Sequence, residues 1–291
     1  MTNIGKGRKI NMISFFANIF GYFLNFLYQN LGNFGVAIIL FSIIVKLVLL
    51  PITIKQQKTM KKTAKVQQKL KEIQSKYKNN PEKLNQETID LYKRENMSPF
   101  SGCLGAIVQI ILLFSVFYLV RSPLTYMKKV DANIIEQYKT EIEENESTNT
   151  AYPEISIIKQ KGNQDEKVYI NMDFLGLDLS EVPLQDISDI KAFIIPALYV
   201  ITTFFSIKLN SSMNNKKKKE NDKLITDGQE KEEELPNPME QANKNMMYIM
   251  PIMSISIALV APLGLALYWL INNILMIIER LALSKIIKEE E

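Results

Sequence analysis

The chain has no histidine and a single cysteine, Cys103, in 291 residues. Without histidine there is no Ser–His or Cys–His pair for nucleophilic catalysis and no His/Cys zinc site, and one cysteine cannot close an internal disulfide. No glycine-rich phosphate loop occurs, so the usual ATP-binding signature is missing. Acidic residues are nearly absent from the long apolar stretches, which argues against an intramembrane aspartyl protease. The net charge of +4 says little until the charges are placed along the chain.

What the chain does have is apolar residues in blocks. Five or six of them approach membrane length and are separated by highly charged loops, the organisation of an integral membrane protein with soluble insertions. The most informative block is NFGVAIILFSIIVKLVLLP, residues 33–51. From Phe34 to Ile54 it is almost continuously apolar, roughly the 20 residues a helix needs to cross a bilayer core. Lys46 interrupts it. Lys55 is the first charge beyond, nine positions on, which at ~1.5 Å per residue puts Lys46 about 13 Å deep in a core roughly 30 Å thick. Its side chain does not readily snorkel that far. A charge at such depth costs roughly 2.5–3.5 kcal/mol, so it faces a polar cavity or a partner. Ser42 lies one turn earlier on the same face and extends the polar stripe. The alternative is a lysine that pairs silently with another span or thins the bilayer around it.

The remaining segments fall into order around this span. Residues 1–33 form a basic start followed by a helix, either interfacial or spanning; Asn18, Asn25 and Gln29 recur as the polar edge of an interfacial helix would. No small-residue cleavage site follows, and there is no Arg/Ser-rich presequence, which favours a bacterial cell membrane over an organelle. The first core span is 34–54. Residues 55–98 carry twelve Lys and Arg against five Asp and Glu, with two helical apolar stripes broken at Asn79–Asn80–Pro81. Asn80 suits an N-cap and Pro81 the first helical position. This predicts a helical hairpin, cytoplasmic by the positive-inside rule.

The second core span is 99–120, with Gln109 and Ser115 inside it. Residues 121–190 form a long acidic extracellular loop, whose run Glu141–Thr150 is predicted to lack regular structure. The third span is 191–209, and 210–245 read as a flexible cytoplasmic linker. Residues 246–261 and 265–283 are the fourth and fifth spans, divided by the outer turn 262–264, and 284–291 form a short tail. The fifth span holds Tyr268, Trp269, Asn272 and Asn273; amides inside a span face other helices or water.

Three stretches now carry a resemblance: NFGVAIILFSIIVKLVLLPITIKQ (33–56), KLNQETIDLYKRENMSP (83–99) running into SGCLGAIVQ (101–109), and MMYIMPIM with APLGLALYW (246–269). In this order the chain resembles the YidC family of membrane protein insertases, whose relatives include the mitochondrial Oxa and chloroplast Albino proteins. The resemblance implies an all-α integral membrane protein: five core transmembrane helices around a hydrophilic groove, plus the cytoplasmic helical hairpin. The family's intramembrane basic residue falls on Lys46, and its groove lining on Ser42, Gln109, Tyr268, Trp269 and Asn272. Lys61, Lys62, Lys65, Lys69 and Lys71 of the hairpin are candidate contacts for substrate or ribosome.

The implied activity moves hydrophilic tails of nascent membrane proteins through the groove and releases their spans into lipid, without ATP, cofactor or metal. Nascent membrane proteins and lipids are the implied partners, with the ribosome and a Sec translocon as further candidates and no specific nucleic-acid recognition. The resemblance does not imply an enzyme. A translocon-associated folding chaperone without autonomous insertion and an anion transporter or channel are the alternatives, although no internal repeat of spans supports a transporter. Four departures stand out: lysine replaces the family's usual arginine, the prolines early in the second span are replaced by Gly105 and Ile111, the 121–190 loop is of intermediate length, and no basic C-terminal extension is present.

Overall fold

The computed structural model describes residues 12–96, 104–145, 151–185, 187, 189–225, 249 and 253–289. Nine helices occur among them: α1 Met12–Leu31, α2 Phe34–Lys76, α3 Pro81–Arg94, α4 Leu104–Arg121, α5 Ala132–Asn145, α6 Pro153–Lys161, α7 Ile194–Ile225, α8 over 253–260, and α9 Leu263–Glu289. Two short strands, β1 Asp173–Phe174 and β2 Leu177–Asp178, pair antiparallel.

Three stretches are long and apolar enough to cross a membrane: Phe34–Thr59, Ile190–Leu209 and Leu263–Leu283. Only 28%, 33% and 39% of their most apolar windows is buried within the protein. Water would not tolerate so much exposed apolar surface, whereas lipid does, and a helix satisfies its own backbone there. This makes the chain an all-α membrane protein. The second expected span begins at residues 99–103, outside the described residues, and its described apolar part, Ile110–Arg121, is shorter than a full crossing. Residues 246–248 and 250–252 of the fourth expected span also lie outside the described residues.

The helix containing Lys46 does not stop at Ile54. α2 runs on to Lys76, so the first span and the basic stretch after it are one helix. Pro51 lies inside it; having no amide hydrogen, it leaves the Leu47 carbonyl without its usual helical donor. The chain divides into two compact units, and the division crosses α2 between Leu47 and Val48.

The first unit comprises Met1–Leu47, Val108–Val200 and Ile255–Met276. Its core is built on Leu24, Phe34, Ile38, Phe41, Leu119, Leu124, Met127, Ile157, Leu179 and Leu263. α1 packs along the spans: Phe20 and Phe23 meet the Phe41 ring at 5.7 and 5.8 Å between centroids, and the Ile13 carbonyl accepts from Ser115 of α4 at 3.2 Å. One face of α1 is buried through Ala17, Gly21, Leu24 and Tyr28, while Met12, Phe15, Ile19, Tyr22 and Phe26 are exposed at helical spacing. At Gly21 the chain comes so close to Tyr126 that an added methyl would overlap the Tyr126 carbonyl.

The described residues of the 121–190 segment carry regular structure. It holds a π-helical turn, Leu124–Lys128, then α5, α6, the β1–β2 hairpin and a 3-10 turn, Ile190–Phe193. Glu141–Asn145, within the run predicted to lack regular structure, completes α5; residues 146–150 lie outside the described residues. Long-range contacts explain the difference. Ile142 is buried, Glu141 accepts from Lys161 at 2.9 Å, and the Tyr138 hydroxyl donates to Asp165 at 3.0 Å. Buried Glu154 accepts from both the amide and the hydroxyl of Thr125, at 2.9 and 2.6 Å. Lys128 donates to the carbonyls of Glu166 and Tyr169, both at 2.8 Å, and burial holds its pKa below the usual lysine value.

Residues 171–184 then strap together helix ends. The Asn171 carbonyl accepts from the Phe34 amide at 3.1 Å, its side-chain amide donates to the Gly32 carbonyl at 2.9 Å, and the Asn33 side chain donates to the Asp173 carbonyl at 2.6 Å. Gly35 leaves room for the Phe174 ring, 2.5 Å from where a Cβ would stand. Further along, the Glu181 and Leu179 carbonyls accept from the Leu263 and Gly264 amides at 2.8 and 2.9 Å, and the Leu184 amide donates to Leu259 at 3.1 Å. The strap thereby satisfies amides at the N-termini of α2 and α9 that have no acceptor within their own helices.

The second unit comprises Val48–Ile107, Ile201–Ser254 and Ile277–Glu291. In α3, Asn80 accepts from the Lys83 amide at 3.1 Å and Pro81 takes the first turn, as the sequence predicts. Val66 of α2 and Leu91 of α3 are buried, and Lys69 pairs with Glu95 at 2.6 Å. α7 continues past Leu209 to Ile225, through the Lys216–Lys219 run where the composition suggests a flexible linker. Residues 210–225 contain no glycine or proline, so nothing local breaks the helix. Residues 226–245 lie outside the described residues.

Candidate functional site

Lys46 is half-buried, on a helix whose next two residues, Leu47 and Val48, are exposed apolar side chains. Ser42, one turn earlier, is buried, and its hydroxyl donates to the Ile38 carbonyl at 2.8 Å. Its single proton is therefore spent inside its own helix, a common arrangement for serine in an apolar helix. On α9, Tyr268 and Asn272 are half-buried, and the Asn272 side-chain amide donates to the Tyr268 carbonyl at 2.9 Å. Trp269 is buried in the core, its ring 6.1 Å from that of Tyr199 on α7. Gln109 belongs to α4, and its side chain lies outside the described residues.

Ser42, Lys46, Gln109, Tyr268, Trp269 and Asn272 all belong to the first compact unit. Lys61, Lys62, Lys65, Lys69 and Lys71, on the part of α2 beyond the first span, belong to the second. There Lys62, Lys65 and Lys69 are exposed and Lys71 is half-buried; the side chain of Lys61 lies outside the described residues. Lys69, through its hydrogen bond and charge, holds the Glu95 carboxyl below the usual glutamate range. A depressed carboxylate pKa gives a contribution present above the ordinary value, about 4.3, and lost as pH falls through the depressed one. Acidification below about pH 4 is accordingly expected to lower the protection of amides in the last turn of α3 relative to their intrinsic exchange rate at the same pH. In Lys69→Ala, that acid-dependent loss of protection should shrink; an identical pH response in both proteins would count against the pair.

One pair of charges is easily passed over in the sequence. Glu279 and Arg280 lie within the apolar stretch Leu263–Leu283, and Glu279 is only 7% exposed. The signal available was two adjacent charges inside a span otherwise free of them. Among the described residues, no group of His, Cys, Asp or Glu side chains comes together as a metal site.

Spans with outward apolar faces, a half-buried lysine in one of them and a folded strap across two helix starts define a helical integral membrane protein. The model of the 60Kd inner membrane protein family matches residues 26–290. The chain belongs to that family, as the three resembling stretches imply. It is 27% identical to the membrane protein insertase YidC of Fusobacterium nucleatum over 277 residues, covering 94% of this chain and 98% of that protein. It is likewise 27% identical to YidC of Treponema denticola over 268 residues, 92% of this chain but 37% of that longer protein. A 102-residue stretch is 39% identical to YidC of Caldanaerobacter subterraneus, covering 35% of this chain and half of that protein. These relatives are bacterial, and a bacterial cell membrane is where the chain resides.

Proposed function

We propose that this protein is a membrane protein insertase: it moves the hydrophilic tails of nascent membrane proteins through a positively charged groove among five core helices and releases their spans into lipid. The observation that carries this reading is Lys46, half-buried inside an apolar span in a chain of this family. A cation held in a low-dielectric wall attracts acidic tail residues far more strongly than one in bulk water. A polar recess also shortens the apolar distance that the tail must cross. Gln109, Tyr268 and Asn272 supply the polar lining, Ser42 lies buried one turn behind Lys46, and Trp269, packed on Tyr199, supplies a rigid wall. Burial of ~20 apolar residues of the substrate span in lipid drives the process, so the reaction is not enzymatic and needs no ATP.

The test is reconstitution. Purified protein in liposomes lacking any other translocase receives a single-span substrate with an acidic tail, and protease protection of the tail is scored. Protection supports an autonomous insertase. No protection with demonstrably folded protein would instead favour a chaperone that acts beside a translocon.

The basic helical arms around Lys62, Lys65, Lys69 and Lys71 are proposed to receive the arriving chain or ribosome. Deleting residues 60–92 is expected to cut crosslinking of nascent chains several-fold, on the order of the loss of a few surface charges, while the spans remain folded. Undiminished crosslinking would remove the arms from this role.

A further inference from the structure

Among the described residues, the three most exposed large apolar side chains are Leu175 at 87%, Ile190 at 80% and Ile187 at 71%. Leu175 occupies the two-residue connection between β1 and β2 with φ at 55°, beside Gly176 at 76°. Such a turn favours Asn, Asp or Gly, because a side chain in the left-handed region is strained. A leucine there bears the conformational penalty and, in water, gains nothing from its side chain.

All three residues belong to the first unit, and Ile187 precedes Ile190 by three positions. β2 lies beside the 3-10 turn that Ile190 opens, and that turn leads directly into α7. Ile194 and Leu198 follow at one-turn intervals, both 45% exposed, so the apolar stripe runs from Ile190 down the side of a membrane span. The hairpin, for its part, is fixed to the start of the Phe34–Thr59 span by the Asn33 bond to Asp173.

We propose that Leu175, Ile187 and Ile190 form a lipid-seated rim, dipping into the headgroup–acyl boundary of the leaflet at this end of the bundle. Lipid is the occupant because the stripe is continuous with the exposed apolar side of α7. Asp173 and Asp189 beside it keep their carboxylates at the wet level, the division of labour found in interfacial segments. The rim holds the 171–184 strap at the membrane surface.

The test uses the full chain with Cys103→Ser, carrying single labels at Leu175→Cys, Ile187→Cys or Ile190→Cys, and at Lys167→Cys as an exposed polar control. Each is labelled with an environment-sensitive fluorophore and reconstituted in phosphatidylcholine–phosphatidylglycerol vesicles. Quenching is read with a lipid bearing a nitroxide high on its acyl chain and, separately, with aqueous iodide. At the three rim positions lipid quenching should exceed that at position 167 at least about twofold, with weaker iodide quenching. Rim labels that behave like the control would overturn the proposal. So would rim labels shielded from both quenchers, which would mean that protein covers the rim.

Discussion

Lys46→Ala should lower protection of an acidic translocated tail roughly tenfold in the liposome assay, while Lys46→Arg stays within about twofold of the unmodified protein. Depth and dielectric set the size of this effect. An interaction worth about 1.4 kcal/mol, modest for a charge pair shielded from water, already changes an equilibrium tenfold. Alanine removes the charge without disturbing the helix, since it is the best helix former. Arginine keeps the charge, adds a fork for carboxylates and holds its proton under any burial. Substrates whose tails lack acidic residues should lose less. Equal protection by the Ala and Arg proteins would show that the charge does not act on the tail, even if the groove exists.

Gly21→Ala is the second substitution with a large expected effect. The methyl would fall on the backbone carbonyl of Tyr126, inside the π-helical turn that follows α4. Backbone cannot swing aside as a flexible side chain can, so the cost belongs at the upper end of overpacking, about 3 kcal/mol. The same contact region holds Lys129, whose ammonium sits over the Tyr22 ring at 4.4 Å and donates to the Asn18 side chain. Parting α1 from the turn would strand that cation, whose pKa burial already holds below the usual lysine value. A fall of several degrees in thermal unfolding in detergent is the expected result. A melting temperature equal to that of the unmodified protein would show that α1 is not held there.

The sequence speaks clearly where a local rule has no competitor. Asn80 and Pro81 start α3 because a side-chain acceptor followed by a residue without an amide hydrogen suits the first turn of a helix, whose amides lack partners. It is less informative where a local signal is overruled. The apolar span reads as ending at Ile54, yet α2 runs on to Lys76, since residues 55–76 contain no glycine or proline to stop it. Glu141–Thr150 reads as too polar for regular structure, yet its described part, Glu141–Asn145, is helical, held by a partner farther along the chain, Lys161 for Glu141; Thr125 for Glu154 and Tyr28 for Asn171 order the rest in the same way.

The candidate site divides in the same way. Residue types at mid-span pick out Lys46 and the α9 amide Asn272 without any structure. What type alone does not give is how each group is used. The Ser42 proton is committed to Ile38, and Trp269 is spent on packing against Tyr199. Glu279 is not legible in the same way, because two adjacent charges near a span end resemble interfacial ones until the burial of the acid is known.

The strap over residues 171–184 also has a direction in time. Its first partners, Tyr28 to Phe34, leave the ribosome long before it, whereas its last, Leu259, Leu263 and Gly264, leave long after. During synthesis one half of the clasp therefore stands ready and waits for the other. The closed clasp is a physical record that translation has reached the final helix. A chain halted before Leu263 carries an open clasp, in which the Leu179 and Glu181 carbonyls still wait for the α9 amides.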